Sequence, residues 1–224
     1  MLSDLSFQDE FLSRISSKFA YTDYQHQEIE DGAVGTTFTN ESTEIKADLY
    51  HQEMNGWQGA WTLHYKHSDF EAIGEEAFSP PSTTERIAFA WLEEKHFDNV
   101  LLQLGARVER VSITEKGEGM DLSAFAHDED HEEEHDEEHD DHQEAVSFGK
   151  QNFTPVSASA GLVWNYLTGY NVGISVAASQ RAPSAAELFS FGPHIGTNTF
   201  EVGALYSLEQ EGDEVHVETS SQKP

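Results

Sequence analysis

The sequence predicts an all-β fold: an antiparallel, up-and-down transmembrane β-barrel segment of about eight strands, with long loops at one end. Three observations carry this. Apolar and polar residues alternate with period two over most of the chain. Tight turns alternate with long connections. Aromatic residues gather beside the tight turns.

The strands are expected near residues 11–25, 42–53, 57–70, 85–96, 100–112, 154–166, 170–181 and 197–208. The first two alternate weakly. In the third, Trp61, Leu63 and Tyr65 face one way and Thr62, His64 and Lys66 the other. In the fourth, Ile87, Phe89 and Trp91 alternate with Ala88 and Ala90. In the fifth, Val100, Leu102, Leu104, Ala106 and Val108 alternate with Gln103, Gly105, Arg107 and Glu109. The sixth sets Ala158, Ala160, Leu162 and Trp164 against Ser157, Ser159 and Asn165. The seventh sets Val172, Ile174 and Val176 against Asn171, Gly173 and Ser175. Phe200–Leu208 supplies the eighth. Leu63, Phe89, Leu102, Leu104, Leu162, Ile174 and Val176 are thus expected to meet lipid, and Gln103, Arg107, Ser159 and Ser175 the lumen.

Asn55-Gly56, Phe97-Asp98-Asn99 and Leu167-Thr168-Gly169 read as tight hairpin turns. Longer linkers are expected at about 26–42, 71–85, 112–154 and 182–197. A soluble sandwich has no reason to put every long loop at one end, whereas a membrane barrel does. Trp57, Phe97, Trp164, Tyr166 and Tyr170 sit beside the tight turns, where an interfacial girdle belongs. The N-terminus shows no secretory signal. No apolar run approaches the ~18 residues of a membrane helix. The end, GDEVHVETSSQKP, reads as polar and unstrandlike, so the chain looks cut from a longer protein.

Charge limits the function. Twelve Lys and Arg against 42 Asp and Glu give a net −30, which excludes nucleic acid as a partner and a polybasic membrane anchor. There is no Cys, so thiolate catalysis, disulfides and Cys-ligated zinc are excluded. No nucleophile–base pair or phosphate loop stands out, so no catalytic residue or enzymatic activity is assigned. Residues 127–144, HDEDHEEEHDEEHDDHQE, hold 12 of the acidic residues and no Lys or Arg; the remainder carries 12 − 30 = −18. With nothing apolar to bury, this tract is expected to form a disordered extracellular loop spanning 113–153.

Within it His127, His131, His135 and His139 recur every four residues, and His142 follows by three. Imidazole with carboxylate suits borderline divalent ions, Zn²⁺ first and then Ni²⁺ or Cu²⁺. The bland reading is a solvated acidic tract whose histidines are incidental. Several weak, exchanging sites are expected, because a closed tetrahedral site needs a rigid second shell. His64 and His67, three apart in one strand, face opposite ways and are read as lumen and interface residues.

Residues 179–203 read SQRAPSAAELFSFGPHIGTNTFEVG. This stretch resembles the motif found late in the barrel of TonB-dependent outer-membrane receptors. GPHIGTNTFEVG looks most like the zinc-uptake branch, and GEEAFSPPSTTE, residues 74–85, is similar to an outer loop of that branch. The resemblance covers roughly residues 11–209. It implies a 22-stranded barrel in the bacterial outer membrane, with an N-terminal plug through which the TonB system drives uptake. Read so, 1–224 is a partial barrel domain without its plug, embedded in outer-membrane lipid, and taken alone it should not transport. The resemblance also implies two metal ligands, His194 and, more weakly, Glu76. Arg181, Pro183 and Glu187 read as architectural, with Arg181 pairing Glu187 at the loop root.

The leading reading is therefore receptor-mediated capture of a divalent metal, zinc, as cargo and not as a catalytic cofactor. The alternatives are haem or metal-chelate (siderophore) capture, and a soluble acidic metal buffer. Haem would favour His or Tyr on an apolar loop surface, and this loop is polar.

Overall fold

A computed structural model describes residues 1–8, 11–30, 32–74, 77–117, 146–194, 199–211 and 214–219. Its main sheet is nine-stranded and antiparallel. It is built from β1 (Leu2–Ser6), β2 (Leu12–Glu30), β3 (Ala33–His51), β4 (Trp57–Gly74), β5 (Ser82–Phe97), β6 (Val100–Glu115), β7 (Lys150–Phe153), β8 (Val156–Leu167) and β9 (Tyr170–Ala178). Each strand pairs with the next in sequence, except that β6 pairs with both β7 and β8. The up-and-down antiparallel order is therefore as expected from the alternation. Beyond the sheet lie a short helix, α1 (Ala185–Phe189), and two hairpins. One joins β10 (Phe191–His194) to β11 (Thr199–Val202), the other β12 (Tyr206–Glu211) to β13 (Glu214–Thr219).

The register gives each face its character. Leu63 pairs with Phe89 and Phe89 with Val108; Leu102 pairs with Leu162 and Leu162 with Ile174; Leu104 pairs with Ala160 and Ala160 with Val176. Directly paired residues share a face, so these rows form one apolar surface. Gln103 pairs with Gly161 and Gly161 with Ser175, and Arg107 pairs with Ser157, on the opposite face. The expected lipid and lumen sets thus separate. Ile87, Ile174 and Val176 are 59%, 70% and 70% exposed, which in water would be an unpaid hydrophobic cost and in lipid is none.

The tight turns form as read. Asn55 and Gly56 both have positive φ, 55° and 83°, the combination an Asn-Gly hairpin requires. At that end the aromatic residues assemble: Trp164 on Tyr166 at 5.7 Å, Tyr166 near Tyr170 at 6.3 Å, and Lys95 Nζ over Trp57 and Phe97 at 5.4 and 5.3 Å. Phe11 stacks on Trp61, which leans on His51. His51 Nε2 lies 2.8 Å from Glu93 Oε1, a buried contact screened from lipid by these rings. Glu93 lies over Gly59, where an added Cβ would come within 2.7 Å of its Cδ and 2.2 Å of the Leu92 carbonyl.

Several boundaries depart from the sequence reading. Residues 26–42 are no long linker: β2 and β3 run on as 19-residue strands, with a turn residue, Gly32, at φ 84° before β3. Such strands span ~60 Å, far more than the ~9–11 residues lipid needs. Their upper halves carry polar residues on both faces, so residues such as Thr36, Thr37, Thr39 and Asn40 show no apolar alternation. The eighth strand, 197–208, is not a barrel strand: it breaks at Gly203 into β11 and β12, which join separate hairpins. The polar tail contains a strand after all, Glu214–Thr219, paired with β12. β1 and β7 were too short for their alternation to register. Residues 113–115 and 150–153, at the ends of the expected 113–153 loop, are paired strand. His127, His131, His135, His139 and His142 lie outside the described residues, as does Glu76.

A charge on the lipid face near mid-bilayer costs about 2–4 kcal/mol, whereas one on the lumen face costs little. Leu104→Arg is therefore expected to destabilise the protein in lipid vesicles by that amount and Ser159→Arg to leave it nearly unchanged, measured by urea titration of the folded fraction.

Candidate functional site

Two structures converge on the lumen side: a polar wall on the sheet and a segment folded against it. On the wall, Thr62 Oγ1 donates to Asp48 Oδ1 at 2.6 Å and Lys46 Nζ lies 3.1 Å from the same oxygen. His64 Nε2 lies 2.9 Å from Glu44 Oε1, and Arg107 3.5 Å from Glu109. Glu44, His64, Lys66, Arg86, Arg107 and Glu109 line a cleft of about 450 Å³, with Ser184 at its edge. Both signs of charge face this space, which suits passage or brief holding of hydrated ions. Among the described residues no three His, Asp or Glu side chains are placed to enclose a metal. His67 points to the other face and contacts Asp69 at 3.0 Å. The two strand histidines thus part as their spacing requires.

The segment after β9 is held by its own polar groups. Where the ladder ends, Gln180 Oε1 accepts from Val156 N at 3.0 Å and Ser157 Oγ accepts from Gln180 N at 3.2 Å. Arg181 then grips Glu187 bidentately, at 2.7 and 2.6 Å. Glu187 also accepts from Ser184 N at 2.8 Å, and Ser184 Oγ accepts from Glu187 N at 3.1 Å. This reciprocal capping box starts α1 and satisfies donors that a five-residue helix cannot satisfy alone. The Arg181 guanidinium, and then the Ser184 N–H, hold the Glu187 carboxyl down at about 2. The expected pairing of Arg181 with Glu187 is therefore present.

Beneath α1, Leu188 and Phe189 are fully buried against Val111 and Ile113 of β6, with Ala182 and Leu205 beside them. Phe148 stacks on Phe189 at 6.0 Å and meets Tyr206 edge-on at 4.9 Å. Tyr206 donates to the Phe189 carbonyl at 3.2 Å; burial, and then the charge of Glu115, push its phenol up. Gly203 permits the chain to return: a Cβ there would sit 2.3 Å from the Leu188 carbonyl.

The two motif segments meet at this point. Phe191 N donates to the Phe78 carbonyl at 2.7 Å, and the Gly192 backbone passes against the Phe78 side chain. The loop that carries Glu76 in sequence is thereby joined to the hairpin that carries His194. His194 is the last residue of β10, paired with Thr199. Sequence reasoning missed the Phe78–Phe191 junction, the buried Leu188–Phe189 pair and the Glu44–His64–Arg107 cleft. The Ser184-x-x-Glu187 spacing was a legible sign of the helix. The junction had no local sign, since it links residues 113 apart.

The family model described as TonB dependent receptor-like, beta-barrel, matches residues 3–211.

Glu187 has its folded value below its ordinary 4.5, so its contribution is full above about 4.5 and is lost as pH falls toward about 2. Pepsin cleavage at Leu188–Phe189, normalised to a peptide of the same sequence, should rise over that window. In Glu187→Gln the cleavage should already be high at pH 4.5; the same profile in both proteins would contradict the role given to the pair.

Proposed function

This chain belongs to the TonB-dependent receptor β-barrel family, and from that premise we propose that its cargo is a divalent metal ion, zinc, captured by histidines and carboxylates at its outer end. The family sits in the bacterial outer membrane and works with the TonB system to take up a ligand. The exposed apolar face agrees with that setting and does not agree with a soluble metal buffer.

The observation that carries the metal reading is the run His127, His131, His135, His139 and His142 among 12 carboxylates. Neutral imidazoles would supply the borderline-soft donors that discriminate Zn²⁺ from Ca²⁺. The carboxylates would raise the local cation concentration. His194 and Glu76 are proposed as a second station. The junction of Phe78 with Phe191 supports this, because it ties the two loops that bear them. Ions released from the tract would then meet the mixed-charge cleft of the lumen wall. A metal chelate remains the second reading, favoured by the Lys66, Arg86 and Arg107 cations in that cleft.

Replacing the five histidines with Asn keeps the carboxylates and removes the imidazoles. Calorimetric titration of the purified protein should show Zn²⁺ binding reduced to what the His194–Glu76 station retains and residual Ca²⁺ binding unchanged. Zn²⁺ binding by the wild type should weaken as pH falls through ~6.5, as protonation removes the ligand lone pair. Unaltered Zn²⁺ affinity in the Asn variant, or a wild-type preference for Ca²⁺, would refute the imidazole assignment.

A further inference from the structure

The basic residues of this acidic chain are unevenly placed. Arg14, Lys18, Lys46, Lys66, Arg86 and Arg107 belong to the lumen-face rows. On the lipid face, β6 presents Val100, Leu102, Leu104, Ala106 and Val108 in succession, and the next outward residue is Arg110. Arg110 pairs with Ile87, and Ile87 with Tyr65, so a guanidinium stands at the upper edge of an apolar belt. One strand over, Lys150 pairs with Thr114 and Asn152 with Ser112, all on this outward face. Ser112 Oγ donates to Asn152 Oδ1 at 3.1 Å.

Arg110, Lys150, Tyr65, Ile87, Ser112 and Asn152 line one groove of about 250 Å³. Arg110 and Lys150 are exposed, and neither forms an ion pair among the described residues. Glu85, also at the groove, leans toward His67 at 3.8 Å. Lys116, just beyond β6, is already tied to Asp69. The groove therefore has an apolar floor of Tyr65 and Ile87 continuous with the lipid-facing surface, the Glu85 carboxylate turned toward His67, and, at its upper rim, two cations without an ion pair among the described residues.

We propose that this groove binds a phosphorylated lipid of the outer leaflet, with acyl chains along Ile87 and Val108 and a headgroup phosphate held by Arg110 and Lys150. The belt places acyl chains at that height already. A phosphate at the headgroup boundary is the anion a guanidinium and an ammonium recognise there. A free phosphate would gain nothing from the apolar floor, and a neutral lipid nothing from the cations.

The test uses the protein purified from outer membranes in detergent, stripped of lipid and titrated with bis-phosphorylated lipid A. Dephosphorylated lipid A and inorganic phosphate are titrated in parallel. The wild type should bind phosphorylated lipid A at least tenfold more tightly than the dephosphorylated form, and inorganic phosphate far more weakly than either. Arg110→Gln with Lys150→Gln should weaken phosphorylated lipid A roughly twentyfold. Arg14→Gln with Lys18→Gln, an equal charge change on the lumen face, should leave it unchanged. Heat-dependent mobility on gels confirms that both variants are folded. Equal affinity of the Arg110/Lys150 variant and wild type overturns the proposal, as does equal binding of dephosphorylated lipid A. An equal loss in the Arg14/Lys18 variant reduces the effect to net charge, and tight binding of inorganic phosphate alone makes the groove a free-anion site; either outcome also overturns it.

Discussion

Backbone hydrogen bonding without water is the constraint on which the rest depends. In lipid, an unpaired N–H or C=O costs several kcal/mol, so a crossing strand must be paired along its length. β3 meets β4 in unbroken register from Thr36–Gly74 to Tyr50–Ala60, and β5 meets β6 from Ser82–Glu115 to Phe97–Val100. Once register is fixed, the period of two decides every side chain's side. A slip of one residue would put Lys46, Lys66 and Arg107 into lipid and Leu63, Leu102 and Leu104 into the lumen. The separation of the chain's charge from its apolar surface is thus a consequence of pairing.

The same constraint explains how the lumen side is furnished. Where β9 leaves the sheet, ladder bonds are replaced by the side chains of Gln180 and Ser157. Pro183, which has no N–H to satisfy, follows, and then the Ser184–Glu187 capping box. With its polar groups met, the segment can bury Leu188 and Phe189 on Val111 and Ile113. That contact fixes the chain that leads to Phe191, and Phe191 binds Phe78. Packing energy on the wall is so converted into a junction between two outer loops. The Glu44–His64–Arg107 cleft lies below it, walled by residues paired across neighbouring strands, as Glu44 with His64, or along one strand, as Arg107 with Glu109.

Much of this was legible in the sequence, and the reasons for the rest are physical. The strands from Trp57 to Leu167 declared themselves because one face meets lipid and the other water, the condition that produces alternation. The upper parts of β2 and β3 carry polar side chains on both faces, so residues 26–42 gave no such pattern and read as loop. Phe200 to Leu208 alternated well enough to mimic a strand, yet Gly203 bends the chain under the Leu188 carbonyl and divides it. Arg181 with Glu187 was legible because its partners are close in sequence. The His64–Glu44 contact was not, because only register brings those two together, nor was the Phe78–Phe191 bond, which depends on the packing of Leu188 and Phe189 on β6.

The account stands most directly on the alternation of environments along β6. The chain contains no cysteine, so single cysteines at each position from 100 to 110 can be spin-labelled without background. In the outer-membrane protein reconstituted into bilayers, accessibility to oxygen, which concentrates in lipid, should peak at 100, 102, 104, 106 and 108. Accessibility to a water-soluble nickel complex should peak at 101, 103, 105, 107 and 109, and at 110 it should rise again on the outward face. Oxygen maxima at the odd positions, or no period of two, would contradict the fold and the placement of the site together.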